Sequence, residues 1–267
     1  MPRPARAPTE HSHTPRGLPR ANPLAYSPGM RGKSKLWLAS AGLLAGAAGL
    51  GAASVALYWQ PCAGQFLNGS VVNGYRIDQE FTGACLAAMD GAPVALLSTG
   101  PSLWALLGAG ATALLALAWL VLVPTMTLPR ASRLGVALPG LLVLAQVAVV
   151  SGAGFPAAFT GLAFGVELSV VLALVVLAAA GVRGAALFRY GIVLLAATAS
   201  GWFHILLGYI GATMLSEANW DSPPGTGSLA VLAIALTAVL TVVLWQRDGR
   251  TRSAAVPGPE LADALQR

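Results

Sequence analysis

The sequence predicts an all-α polytopic membrane protein: six transmembrane helices, both termini in the cytoplasm, and a disulfide-closed extracytoplasmic loop. Three observations carry that expectation. Of 267 residues, 56% are hydrophobic and 10% charged, against about a quarter charged in soluble domains. Six apolar runs reach the length of roughly 20 residues that a bilayer core requires. The basic residues, finally, fall almost entirely on one side of the map those runs define.

The spans are expected at about 36–58, 101–124, 134–153, 157–181, 190–212 and 229–246. Each is rich in Ala, Leu and Val and is bounded by Pro, Gly, Trp, Tyr or Arg. Gly and Pro within them do not argue against helix, since both are commoner in membrane helices than in soluble ones. Between the third and fourth spans SGAGFP, residues 151–156, must make a very short turn; a re-entrant pair is the competing reading there.

Loops rich in Lys and Arg stay cytoplasmic. With the N-terminus inside, residues 1–35 carry seven basic residues, the next inner loops carry Arg130 with Arg133 and Arg183 with Arg189, and the tail after Trp245 carries four. Only Arg76 falls outside, near Asp78, Glu80 and Asp90. Trp and Tyr favour the headgroup level, and they agree: Trp37, Tyr190 and Trp245 lie at inner ends, Tyr58, Trp59, Trp104 and Tyr209 at outer ones.

Residues 1–35 form a basic, Pro- and Arg-rich arm without apolar periodicity, expected to be disordered and cytoplasmic. Met30 followed by RGKSK and an apolar run is an alternative start. Cleavage near Ala53 to Ala56 is disfavoured because the apolar run exceeds the usual core of a signal peptide, and QPC lacks the small residues that would precede a lipidated Cys62. The tail, 247–267, is assigned to the cytoplasm.

Residues 59–100 make the extracytoplasmic cap. Both cysteines, Cys62 and Cys85, stand there, where thiols oxidise, so one structural bridge is the simplest reading; redox dithiols usually come as Cys-x-x-Cys. Asn68-Gly69-Ser70 is a sequon but reads first as turn chemistry, and weak alternation from Val71 to Ile77 allows a short hairpin. The other outer loop, WDSPPGTG at 220–227, is a rigid connection in which Trp220 and Asp221 form a candidate docking surface toward the cap.

Ionisable groups at membrane depth are costly and mark functional candidates. Glu167 and His204 lie roughly 15 Å and 12 Å below the outer ends of their helices, and Gln146 roughly 10 Å. His204 shares a helical stripe with Ala197, Ser200, Gly201, Gly208 and Gly211, which predicts that it faces protein. Glu167 shares its face with Thr160 and Phe164, whereas Gly161, Gly165 and Ser169 form a separate small-residue face. A neutral Glu167 hydrogen-bonded to His204 or Gln146 is tolerable in hydrocarbon; an isolated carboxylate is not.

Other chemistry is mostly excluded. There is no phosphate-binding loop and no His/Cys cluster with zinc spacing, haem lacks paired axial histidines, and His11 and His13 lie in the polar arm. No metal or cofactor is expected, the partners are the lipid bilayer and an envelope protein rather than nucleic acid, and no oligomeric state is implied. Arg in preference to Lys with abundant Ala, Gly and Val fits GC-rich coding, hence a bacterial cell membrane. The expected role is a non-enzymatic membrane component with an outer interaction surface; the alternative is a small transporter or proton-coupled channel using Glu167 and His204. No internal repeat supports the alternative.

Overall fold

A computed structural model describes residues 29–66, 71–72, 75–76, 80–90, 101–153, 158–201, 203–204, 206–207, 210–211 and 224–254. Its helices are α1 (Gly29–Tyr58), α2 (Gly83–Asp90), α3 (Leu103–Leu120), α4 (Arg130–Ala153), α5 (Ala158–Ala179), α6 (Gly184–Ala197) and α7 (Ser228–Ala254). Five of them, all but α2 and α6, are long and apolar enough to cross a membrane. The chain is built as a membrane protein.

Six helices close a ring in which α1 packs on α3, α3 on α4, α4 on α5, α5 on α6, α6 on α7 and α7 back on α1. A contact between α3 and α6 crosses the middle. Neighbours in the chain are mostly neighbours in space, as short connections require. The core where they meet is aliphatic around one large aromatic: Leu44, Leu115, Trp119, Leu177, Leu194 and Ile234 are buried together. Two buried helix hydroxyls are satisfied within their own helix, Thr112 on the Gly108 carbonyl and Thr241 on that of Thr237, so these cost little in an apolar setting.

Pro139 sits inside α4, where it removes one hydrogen bond of the helical ladder. The neighbouring Gly140 lets α3 come close: a β-carbon there would lie 2.9 Å from Leu120 Cγ and 3.2 Å from the Ala116 carbonyl oxygen. At the same level Trp119 Nε1 donates to the Val136 carbonyl at 2.7 Å, giving a buried indole N–H its partner. α5 ends where Gly181 adopts φ +82°. The N–H of Val182 bonds the Leu177 carbonyl and that of Gly181 bonds Ala178, the Schellman pattern that a left-handed glycine permits.

Aromatic side chains gather at both ends of α1. At one end Trp37 stacks on Tyr190 at 5.2 Å, and the Tyr190 hydroxyl meets Thr125 Oγ1 at 3.0 Å. At the other, Tyr58 packs on Trp59 and Trp104 at 4.9 Å and 4.7 Å. From Trp37 to Tyr58 the helix rises about 31 Å, close to the roughly 30 Å hydrocarbon thickness.

Several expectations need revising. Helix α1 starts at Gly29, so 29–35 is helical rather than part of an irregular arm, and α7 runs to Ala254, eight residues past the expected inner end. Residues 1–28 and 255–267 lie outside the described residues, as do 154–157 of the expected turn after α4. The fifth run, 190–212, is not one helix: α6 ends at Ala197, residues 198–201 are turn and bend, and helix resumes at 203–204, 206–207 and 210–211. The short hairpin that the alternation from Val71 to Ile77 allowed lies between α1 and α2, within an otherwise all-α chain.

Candidate functional site

The break in the fifth run is written in Thr198-Ala199-Ser200-Gly201. Thr and Ser hydroxyls compete for backbone groups, and glycine is a poor helix former. Thr198 Oγ1 turns back to the Leu194 carbonyl at 2.9 Å, and the Gly201 N–H closes a tight turn on the Thr198 carbonyl at 2.8 Å. A break frees backbone groups, and in an apolar setting each needs a new partner.

Glu167 on α5 supplies one. Its Oε1 accepts from the Phe203 N–H at 3.0 Å and stands 3.6 Å from His204 Nδ1. The second separation is too long for a hydrogen bond but suits a paired charge. Side chains of both residues are about three-quarters buried, 25% exposed for Glu167 and 23% for His204. Gly201 makes the approach possible, because a β-carbon there would collide with Glu167 Oε1 and lie 2.9 Å from its carboxyl carbon.

Gln146, fully buried on α4, belongs to the same level. Its Oε1 accepts from Ser200 Oγ at 2.7 Å, while its Nε2 has no partner among the described residues. Glu167 is thus beside His204, and Gln146 is held by Ser200. The stripe through Ala197, Ser200, Gly201 and His204 cannot be one helical face, because the break intervenes; Ala197, Ser200 and Gly201 are buried all the same. On α5, Phe164 is exposed, Ser169 is buried with its hydroxyl on the Val166 carbonyl, and Gly165 faces Leu142 of α4. The sequence placed Ser200 only in a packing stripe and did not single out the Phe203 N–H; three weak helix formers within four residues, Thr198, Ser200 and Gly201, were the available signal.

An open groove of about 400 Å³ runs beside the break, between α6 with its continuation and α7, and His204 is one of its walls.

At the opposite end of the ring from Trp37, the cap is tied down. Cys62 and Cys85 form a disulfide, with α-carbons 4.7 Å apart, packed with Trp59 and Met89 into a small buried cluster. Pro61 lies in the 3₁₀ turn Gln60–Cys62. Thr82 caps α2, accepting from the Cys85 N–H at 3.4 Å, and Gln65 clamps Thr82 through two hydrogen bonds of 2.8 Å and 3.2 Å. Strands β1 (Val71–Val72) and β2 (Tyr75–Arg76) pair antiparallel, Val71 with Arg76 and Val72 with Tyr75, the register that an Asn-Gly connection favours.

The cap also holds the start of α7. Trp59 Nε1 donates to the Thr226 carbonyl at 2.9 Å, and the ring of Phe66 lies 3.9 Å from where a Gly225 β-carbon would be. Gly225 and Gly227 have φ +89° and +98°, conformations that favour glycine. Trp220 and Asp221 lie outside the described residues. Among the described residues no group of three or more His, Cys, Asp or Glu is placed to hold a metal.

Compared with protein-family models, curated proteins and solved structures, the chain matches none.

Proposed function

We propose that this protein crosses the cell membrane six times with both termini cytoplasmic, and serves as a non-enzymatic membrane component whose outer face engages an envelope protein. The interrupted run at 190–212 makes the fifth crossing. The observation that carries the interaction role is the joining of cap and last loop. Trp59 binds Thr226, the disulfide closes the loop, and Phe66, 45% exposed, stands at their junction. A pre-organised surface of this kind loses little entropy when a partner binds. The orientation is supported by the distribution of basic residues.

A photo-crosslinking amino acid at Phe66 tests the interaction in cells. Adducts of defined mass are expected, and they should weaken when Cys62→Ser and Cys85→Ser open the cap. Absence of any protein adduct at Phe66 would contradict the role.

The interrupted run favours a second reading, a small transporter or proton-coupled channel. Broken helices near mid-membrane recur at transporter sites because their freed backbone groups bind ions or substrates. Glu167 and His204 can hold one proton between them, as carboxylate with imidazolium or as acid with imidazole. Glu167→Gln keeps an acceptor for the Phe203 N–H but cannot titrate. Under this reading it retains stability and abolishes pH-dependent flux in reconstituted vesicles. Unchanged flux in Glu167→Gln would leave the residue with helix packing alone.

A further inference from the structure

Where α1, α6 and α7 meet at the Trp37 end of the ring, Trp37, Arg189, Ile192, Thr241, Leu244 and Trp245 line a recess of about 30 Å³. That volume admits roughly two or three oxygen-sized atoms, too few for a whole organic molecule. The Thr241 hydroxyl already donates to the Thr237 carbonyl. The other polar groups of the lining are the Arg189 guanidinium and the indoles of Trp37 and Trp245, which donate and do not accept. Among the described residues no carboxylate lines the recess. Its occupant is therefore an acceptor, and a guanidinium charge that no ordinary pH removes selects an anion. Phosphate matches the planar fork of that group.

Depth and surroundings say which phosphate. Trp37 stands about 31 Å along α1 from Tyr58, one hydrocarbon thickness, so the recess lies at the level where lipid headgroups begin. From there an apolar track leads along α7 toward the membrane centre: Val243, Leu240, Val239 and Leu236 recur at helical spacing and are all exposed. An acyl chain can lie on that track, and a free phosphate has none. The segments at this end, 29–35, 125–133, 182–189 and 246–254, each carry Arg or Lys, with Asp248 their one acid. Their field favours a headgroup of net negative charge, and basic pockets between spans recur as sites for such headgroups.

We propose that this recess binds the phosphate of an anionic phospholipid on Arg189, with an acyl chain along α7. The proposal rests on the membrane placement given above and is independent of the outer interaction role.

The test titrates the full chain, delipidated in detergent, with phosphatidylglycerol, phosphatidylcholine and diacylglycerol, and counts retained lipid by native mass spectrometry. One phosphatidylglycerol is expected to bind about tenfold more tightly than phosphatidylcholine, and diacylglycerol, which lacks the phosphate, more weakly than either. Arg189→Gln should weaken phosphatidylglycerol about tenfold, the loss of one charge-assisted hydrogen bond. Arg183→Gln, at an exposed basic residue of the same end outside the recess, should leave it unchanged; equal weakening by the two variants would overturn a defined site. Excess inorganic phosphate should not displace the lipid, and displacement would assign the recess to free phosphate instead. Equal retention of phosphatidylglycerol and phosphatidylcholine by the unmodified protein would overturn the anionic lipid, and needs no variant to fold. Release of the chain from membranes by alkaline carbonate would overturn the membrane placement and the lipid together.

Discussion

Among single residues, Glu167 makes the most consequential contacts. A carboxyl group in an apolar setting is tolerable only with partners, and Glu167 has one in the Phe203 N–H, a donor that exists because the helix is broken. Charge and break are therefore coupled. Glu167→Leu removes the acceptor and should cost about 1–3 kcal/mol, read as a lowered Tm of the purified protein, whereas Glu167→Gln should stay near the parent. Gly201→Ala should be destabilising by about 1–3 kcal/mol through overpacking, because its β-carbon would occupy the place of Glu167 Oε1. Pairing it with Glu167→Ala should restore part of that loss, since the two sites share one contact. Additive losses in the double variant would show that the carboxyl and Gly201 do not meet.

Among the elements, the long helices were legible because length and apolarity suffice to recognise them, and five stand where the apolar runs do. Their ends were less legible: nothing in residues 29–35 or 247–254 is apolar enough to mark helix that continues past the span. The break at 198–201 was hidden because Ala197, Ser200, Gly201 and His204 recur at helical spacing, so the pattern that suggests a packing stripe also covers a turn. Helix α2 was missed for a different reason, being eight residues long with its only signal a capping Thr82. Depth along the spans left both His204 and Gln146 within reach of Glu167; only packing decides between them, and it gives Gln146 to Ser200. The cap carries its own prediction. With its cysteines 23 positions apart, the bridge should contribute about 3 kcal/mol to the cap by loop closure, in the chain-entropy model. Denatured, unreduced protein should show no thiol reactive to maleimide and two after reduction. In the Cys62→Ser, Cys85→Ser variant protease should cut within 63–84 faster while the helices stay protected; equal cutting rates would mean that the bridge does not hold the cap.

At the scale of the whole molecule, six crossings require the fifth run to traverse the bilayer although α6 alone rises only about 21 Å. Trp37, Tyr190 and the groove lined by Arg189 and Trp245 mark one end of the ring, and the disulfide with Thr226 marks the other. A chain that passes from Tyr190 to Thr226 must go from the first end to the second. The most direct measurement is a pair of topology reporters, alkaline phosphatase and green fluorescent protein, fused in turn after residues 95, 186 and 222 and at the C-terminus. Six crossings with cytoplasmic termini predict phosphatase activity at 95 and 222 and fluorescence at 186 and the C-terminus. The same side reported at 186 and 222 would contradict them, because the interrupted run would then not cross and His204 would not lie on a membrane-spanning segment.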